Sequence, residues 1–206
     1  MGRAPNLAAD PLPAPEREEL ALLSRRRDQL VAMRAQEKGR RSEAGETSFV
    51  RDSLDETIAW LDAAIVRIET AIAARIQADT ALKAEQDLVR SLPGAGPVTA
   101  AVLLAQMPEL GRRSGKQFAT LAGLAPLNND SGTRRGQRSI HGGRRRVRQA
   151  LYMAAVASLR TQSPASAFYH RLPQAGKPAK LALIALARKL LVTLNAMLRT
   201  RTPFAT

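Results

Sequence analysis

Apolar and polar positions recur with a helical period over most of the chain. From Glu16 to about Lys38, Leu20, Leu23, Leu30 and Met33 fall along one side. Glu16, Glu18 and Glu19 occupy the first turn, where carboxylates favour the positive end of the helix dipole, so this stretch is predicted to be helical. Gly39 and Gly45 bracket a polar break. The clearest periodicity follows between Ser48 and Arg90, where Leu54, Ile58, Leu61, Ile65, Ile68 and Ile72 recur at alternating steps of four and three residues, a heptad seam flanked by charged side chains. Two such segments suit either an antiparallel hairpin within one chain or an arm that pairs with another chain. The pattern alone leaves both open.

At Leu92 the pattern changes. Pro93, Gly94, Gly96 and Pro97 interrupt any helix, and an Ala-rich apolar run follows from Val98 to Met107. A short helix is predicted around Lys116 to Leu124. Residues Pro126 to Gly143, rich in Gly, Asn, Asp, Ser and Arg, form a long loop. Helices are expected over Arg144 to Gln162 and Pro178 to Arg199, separated by Pro173 to Pro178. At the other end, Pro5, Pro11, Pro13 and Pro15 fix φ and remove backbone donors, which predicts an extended arm. The expectation is an all-α protein, with an arm over 1–15, a long helical hairpin or coiled coil over 16–90, and a compact helical domain over 91–206.

Composition supports that class and adds a partner. Hydrophobic residues make up 45% of the 206 but aromatic residues only 3%, so the core is built from Ala, Leu, Ile and Val. The formal net charge is +14, and it is unevenly spread. Residues 1–90 hold 14 Lys and Arg against 16 Asp and Glu, whereas residues 91–206 hold 18 against two, Glu109 and Asp130. A polyanion is the expected partner of the second half. No Cys is present and the two His are too few for a zinc cluster, so no metal or cofactor is expected on this chain. The N-terminus lacks the apolar core of a signal peptide, and no uninterrupted apolar run of about 18 residues occurs. A cytoplasmic, nucleoid-associated protein without a membrane partner is expected.

Three constellations could carry chemistry. Leu92-Pro93-Gly94-Ala95-Gly96-Pro97, between Val89 and Leu103, looks like a helix-hairpin-helix turn. There Gly94 and Gly96 would let the backbone approach DNA, and the N–H groups near Thr99 would face a phosphate. Such a contact reads the backbone and not the bases. Glycines that merely turn the chain between packed helices are the alternative. Second, seven arginines fall in the 17 residues from Gly132 to Arg148: Arg134, Arg135, Arg138, Arg144, Arg145, Arg146 and Arg148. Guanidinium forks match phosphate oxygens, and no carboxylate interrupts the run. Third, Ser131 lies beside Asp130 and just before these arginines. A Ser hydroxyl attacks phosphorus only when a base takes its proton and cations stabilise the pentacoordinate phosphate; otherwise Ser131 is a turn residue.

The order of these blocks resembles a known family. Leu92 to Ala101, then Phe118-x-x-Leu121-Ala122-Gly123-Leu124-Ala125-Pro126, then Ser131-Gly132 with the Arg-rich run, Arg148 to Ala155, Gly176-Lys177-Pro178 and Arg188 to Leu191 are similar to the C-terminal domain of the IS-one-ten type of insertion-sequence transposases. Residues 16–90 resemble, more weakly, the coiled coil that precedes it. The resemblance implies DNA transposition through Ser131 as nucleophile, a phosphoserine–DNA intermediate, a multimer joined through residues 48–90, and a structured guide RNA. It also implies a RuvC-like domain whose four carboxylates hold divalent metal. Asp10, Asp28 and Asp52 do not fit that pattern, so Mg²⁺ is expected only alongside such a domain, and the chain reads as a truncated or separately encoded part. The competing expectation is a non-catalytic helix-hairpin-helix module that binds DNA or RNA.

Overall fold

In the computed structural model, which describes residues 15–45, 48–126, 140 and 142–205, eight helices and no strand are found among the described residues. They are α1 (Pro15–Glu43), α2 (Ser48–Gln77), α3 (Thr80–Ser91), α4 (Pro97–Gln106), α5 (Gly115–Leu121), α6 (Arg145–Ser158), α7 (Pro164–Gln174) and α8 (Ala179–Thr200). The all-α expectation holds. The predicted arm, apart from Pro15, lies outside the described residues.

The heptad seam finds its partner within the chain. Leu61, Ile65 and Ile72 are buried and Leu54, Ile58 and Ile68 half-buried, with Leu30 and Leu20 of α1 in the same clusters. Ion pairs set the direction: Arg27 meets Glu69 at 2.6 Å, Arg34 meets Asp62, and Arg41 meets Asp55. Residue numbers rise along α1 as they fall along α2, so the two helices form an antiparallel hairpin. Gly39, predicted to open the break, lies inside α1; the chain turns at Gly45, whose φ is +59°.

One long helix to Arg90 was predicted, and the structure corrects it. Asp79 adopts extended backbone, and its carboxylate accepts hydrogen bonds from the N–H groups of Ala81 and Leu82 at 2.8 and 3.0 Å, ending α2 and capping α3. Such a cap is worth about 1 kcal/mol. The redirected helix carries Val89 and Leu92 into a core shared with α4, α5, α6 and α8, around Phe118, Leu103, Leu151, Leu186 and Leu191. Leu82, at the start of α3, still packs with Leu20, Ile72 and Ile76 of the hairpin, so α3 contributes to both clusters.

Helix α4 is the plane where the two halves meet. Ala100, Val102 and Leu103 face that core, while Ala101, Leu104 and Ala105 face Leu20, Ile72, Ile76 and Leu82. A helix apolar on all sides is a helix buried on all sides. A second departure from the sequence reading is α7. Ser163 caps it, Pro164 fills its first position, and Pro173, expected to break the chain, sits near its end. Helix α8 is long and apolar enough to cross a membrane by length and composition alone, but half of that stretch is buried in the core. Buried Asn195 on α8 accepts from the Gly111 N–H at 2.8 Å and donates to the Arg113 carbonyl at 3.1 Å, fixing the turn before α5.

Candidate nucleic-acid interface

Ser131, Arg134, Arg135 and Arg138 lie outside the described residues, so the interface is defined by the two segments of chain that flank them. The chain leaves α5 through Ala122 to Pro126 and returns through Ile140 and Gly142 to Arg144. The Arg144 N–H donates to the Leu121 carbonyl at 2.7 Å. Gly123 and Gly143, with φ of +66° and +63°, cross in near contact. A Cβ on Gly123 would stand 2.3 Å from the Gly142 oxygen, and one on Gly143 would stand 2.4 Å from the Gly123 nitrogen. No other residue type fits either position without moving backbone. Arg148, from the first turn of α6, closes the crossing by donating to the Gly142 carbonyl at 2.6 Å.

The arginines of α6 thus divide by partner. Arg144 donates to the Gln106 carbonyl and pairs with Glu109, both at 2.6 Å. Arg146 reaches across to Asp28 of α1 at 2.5 Å. Arg148 meets carbonyls and, among the described residues, no carboxylate, so its charge is uncompensated. Arg145 is exposed and makes no ion pair among the described residues. Three of the four arginines therefore have structural partners, and only Arg148 among them binds the flanking segment at Gly142.

The glycine turn is likewise partly structural. Gly94 has φ +88°, and a Cβ there would lie 2.2 Å from the Ala154 oxygen, so its backbone seats the α3–α4 turn against α6. Thr99 is only 7% exposed and faces inward. Gly96 differs: it is exposed, has open space around its Cα, and caps α4 ahead of Pro97.

Sequence reading missed a groove between α6 and α8, next to Ile140 at the loop's return. Arg146, Arg148, Tyr152, Met153, Lys180 and Ile184 line it, with Gln149. Arg148 and Tyr152 are four apart, a spacing that puts both on one helix face and was visible in the sequence. Lys180 comes from the far side of α7 and was not. The lining contains three cations and no carboxylate. Among the described residues no three His, Asp or Glu side chains come together to hold a metal ion.

Residues 86–170, from α3 into α7, match the model of the Transposase IS116/IS110/IS902 family. The chain is 32% identical over 160 residues to a pilin gene-inverting protein of Moraxella bovis, covering 76% of this chain and 50% of that protein. It is 35% identical over 114 residues to the insertion element IS110 uncharacterized 43.6 kDa protein of Streptomyces coelicolor, covering 54% of this chain and 28% of that one. The insertion element IS900 uncharacterized 42 kDa protein of Mycobacterium paratuberculosis is 35% identical over 116 residues, covering 55% and 29%. The chain thus spans half or less of the length of these relatives.

Proposed function

Residues 86–170 belong to the IS116/IS110/IS902 transposase family, and from that premise we propose that the chain acts in DNA transposition or site-specific recombination, as the portion that grips the DNA phosphate backbone. The family match carries this reading. The charge of residues 91–206 and the clamped loop stem support it. In this reading the exposed Gly96 and the arginines at 134, 135, 138 and 145 meet DNA directly. Arg148 holds the stem, Arg144 and Arg146 tie α6 to Glu109 and Asp28, all three add to the field, and Gly94 and Thr99 position the turn.

Ser131 is the nucleophile of the proposed reaction. Its hydroxyl oxygen bonds to phosphorus of a DNA phosphodiester, the bond to one deoxyribose oxygen breaks, and the proton lost by Ser131 ends on that leaving oxygen. A phosphoserine–DNA ester results, conserving the phosphodiester energy for rejoining. Neighbouring guanidinium groups stabilise the pentacoordinate phosphate. Mg²⁺ enters only with a RuvC-like partner domain, a structured guide RNA selects the site, and the protein works at the cytoplasmic nucleoid as a homo-oligomer joined through residues 48–90.

The test uses suicide DNA substrates that trap a protein–DNA ester, with a RuvC-like partner and Mg²⁺ both present and absent. A covalent adduct is expected in wild type and absent in Ser131→Ala. DNA binding with no adduct under any condition would favour a non-catalytic DNA- or RNA-binding module, the reading supported by the structural employment of Arg144, Arg146 and Arg148.

A further inference from the structure

The groove between α6 and α8 is not explained by gripping a duplex. A DNA duplex offers phosphates and hydrated base edges, and its base faces are stacked away. Yet Met153, 60% exposed, stands beside the half-buried Ile140, Ile184 and Tyr152. A large apolar side chain left in water next to an aromatic ring matches the face of a nucleobase, not a phosphate oxygen.

The cations are placed for the other half of such a ligand. Lys180 lies in the first turn of α8, where a positive charge opposes the helix dipole. That helix has no acidic residue in its first turn and no side-chain cap. Helix stability therefore does not account for Lys180. Arg148 is held by Nη1 against the Gly142 carbonyl, so its orientation is fixed before any ligand arrives, while Nε and Nη2 meet no acceptor among the described residues. Arg146 is partly neutralised by Asp28, which leaves Arg148 and Lys180 as the uncompensated pair.

We propose that this groove holds one unpaired nucleotide of a nucleic-acid strand, its base against Tyr152 and Met153 and its phosphate on Arg148 and Lys180. Stacking on an aromatic ring with a cationic track for the backbone is how single strands are held without sequence readout. The inference rests on the nucleic-acid reading above and specifies what that surface takes: an unpaired strand.

The full chain would be titrated against labelled oligothymidylate, oligouridylate and a blunt DNA duplex, with binding read by fluorescence anisotropy. Tyr152→Ala is expected to weaken single-strand binding roughly five- to hundredfold, the range of one lost stacking contact, and to change duplex binding less than about twofold. Tyr152→Phe keeps the ring and should restore affinity. Lys180→Gln, at an exposed position that leaves the core untouched, should weaken single-strand binding and reduce its dependence on salt by about one counterion. The two single-stranded probes show whether the strand is DNA or RNA, and a Tyr152-dependent loss on either supports the groove. Duplex binding with single-strand binding indifferent to Tyr152 and Lys180, or equal losses on both probe types, overturns the inference and leaves the transposition reading intact. Wild type that binds no probe overturns both.

Discussion

Gly142 and Gly143 form a built-in control for the loop stem. Both have left-handed φ, +67° and +63°, so an alanine at either carries a similar conformational cost of about 1–2 kcal/mol. Their surroundings differ completely. A Cβ on Gly142 would meet nothing within 4 Å, whereas one on Gly143 would stand 2.4 Å from the Gly123 nitrogen and 2.7 Å from the Leu121 oxygen. Both are backbone atoms, and Leu121 is the acceptor of the Arg144 N–H, so the conflict is relieved only by parting the two strands of the stem. Forcing a methyl into packed surroundings adds roughly 1–3 kcal/mol. Gly142→Ala should therefore cost about 1–2 kcal/mol, and Gly143→Ala about 2–5 kcal/mol. Urea unfolding followed by the helical circular dichroism signal would measure both, compared at a common slope. Equal losses in the two variants would show that the close crossing contributes nothing beyond the backbone conformation, and the account of the stem would fail.

Two further outcomes follow from the hairpin. The Arg41 guanidinium holds the Asp55 carboxyl below its usual range, and Arg34 does the same for Asp62, in each case mainly through a side-chain hydrogen bond. A lowered folded pKa means that stability is present above the unfolded Asp value of about 3.9 and is lost as pH falls through the folded value. Urea midpoints should drop on acidification below that value, and less so in Asp62→Asn; identical pH profiles would contradict the assignment. On the opposite side, Phe49 and Trp60 of α2 are 82% and 55% exposed, eleven residues apart and so near one stripe of the helix. Sedimentation at micromolar concentration should show a multimer that Trp60→Lys dissociates, and in the wild type the emission of this single tryptophan should shift to the red on dilution; a wild-type monomer would refute self-association through α2.

Much of the fold was readable because it follows from local periodicity. The seam from Leu54 to Ile72 specified a helix with one apolar stripe, and the covering of that stripe by α1 is the cheapest way to bury it. Asp79 and Ser163 were equally local signals, each an N-cap followed within three residues by its backbone partner, but the apolar pattern around them masked the break in one case and Pro173 masked the helix in the other. What sequence could not show is which arginine meets which acid. Asp28 and Arg146 are far apart along the chain and become neighbours only through the packing of α4 against α1 and of α6 against α4. Gly94 makes the same point: the Ala154 carbonyl that demands a glycine there belongs to α6, far along the chain.

The contact between Asp28 and Arg146 has a thermodynamic consequence. One guanidinium both ties α1 to α6 and lines the groove, so the two uses draw on the same charge. A phosphate on Arg148 and Lys180 would also draw on the charge of Arg146 and weaken the docking of α1 on α6, and linkage then requires the docked hairpin to lower phosphate affinity by the same factor. Removing the competitor with Asp28→Ala would appear as tighter nucleic-acid binding. A force or a partner acting on the far end of α1 and α2 would then be communicated to the groove as a change in affinity, with no contact between the two.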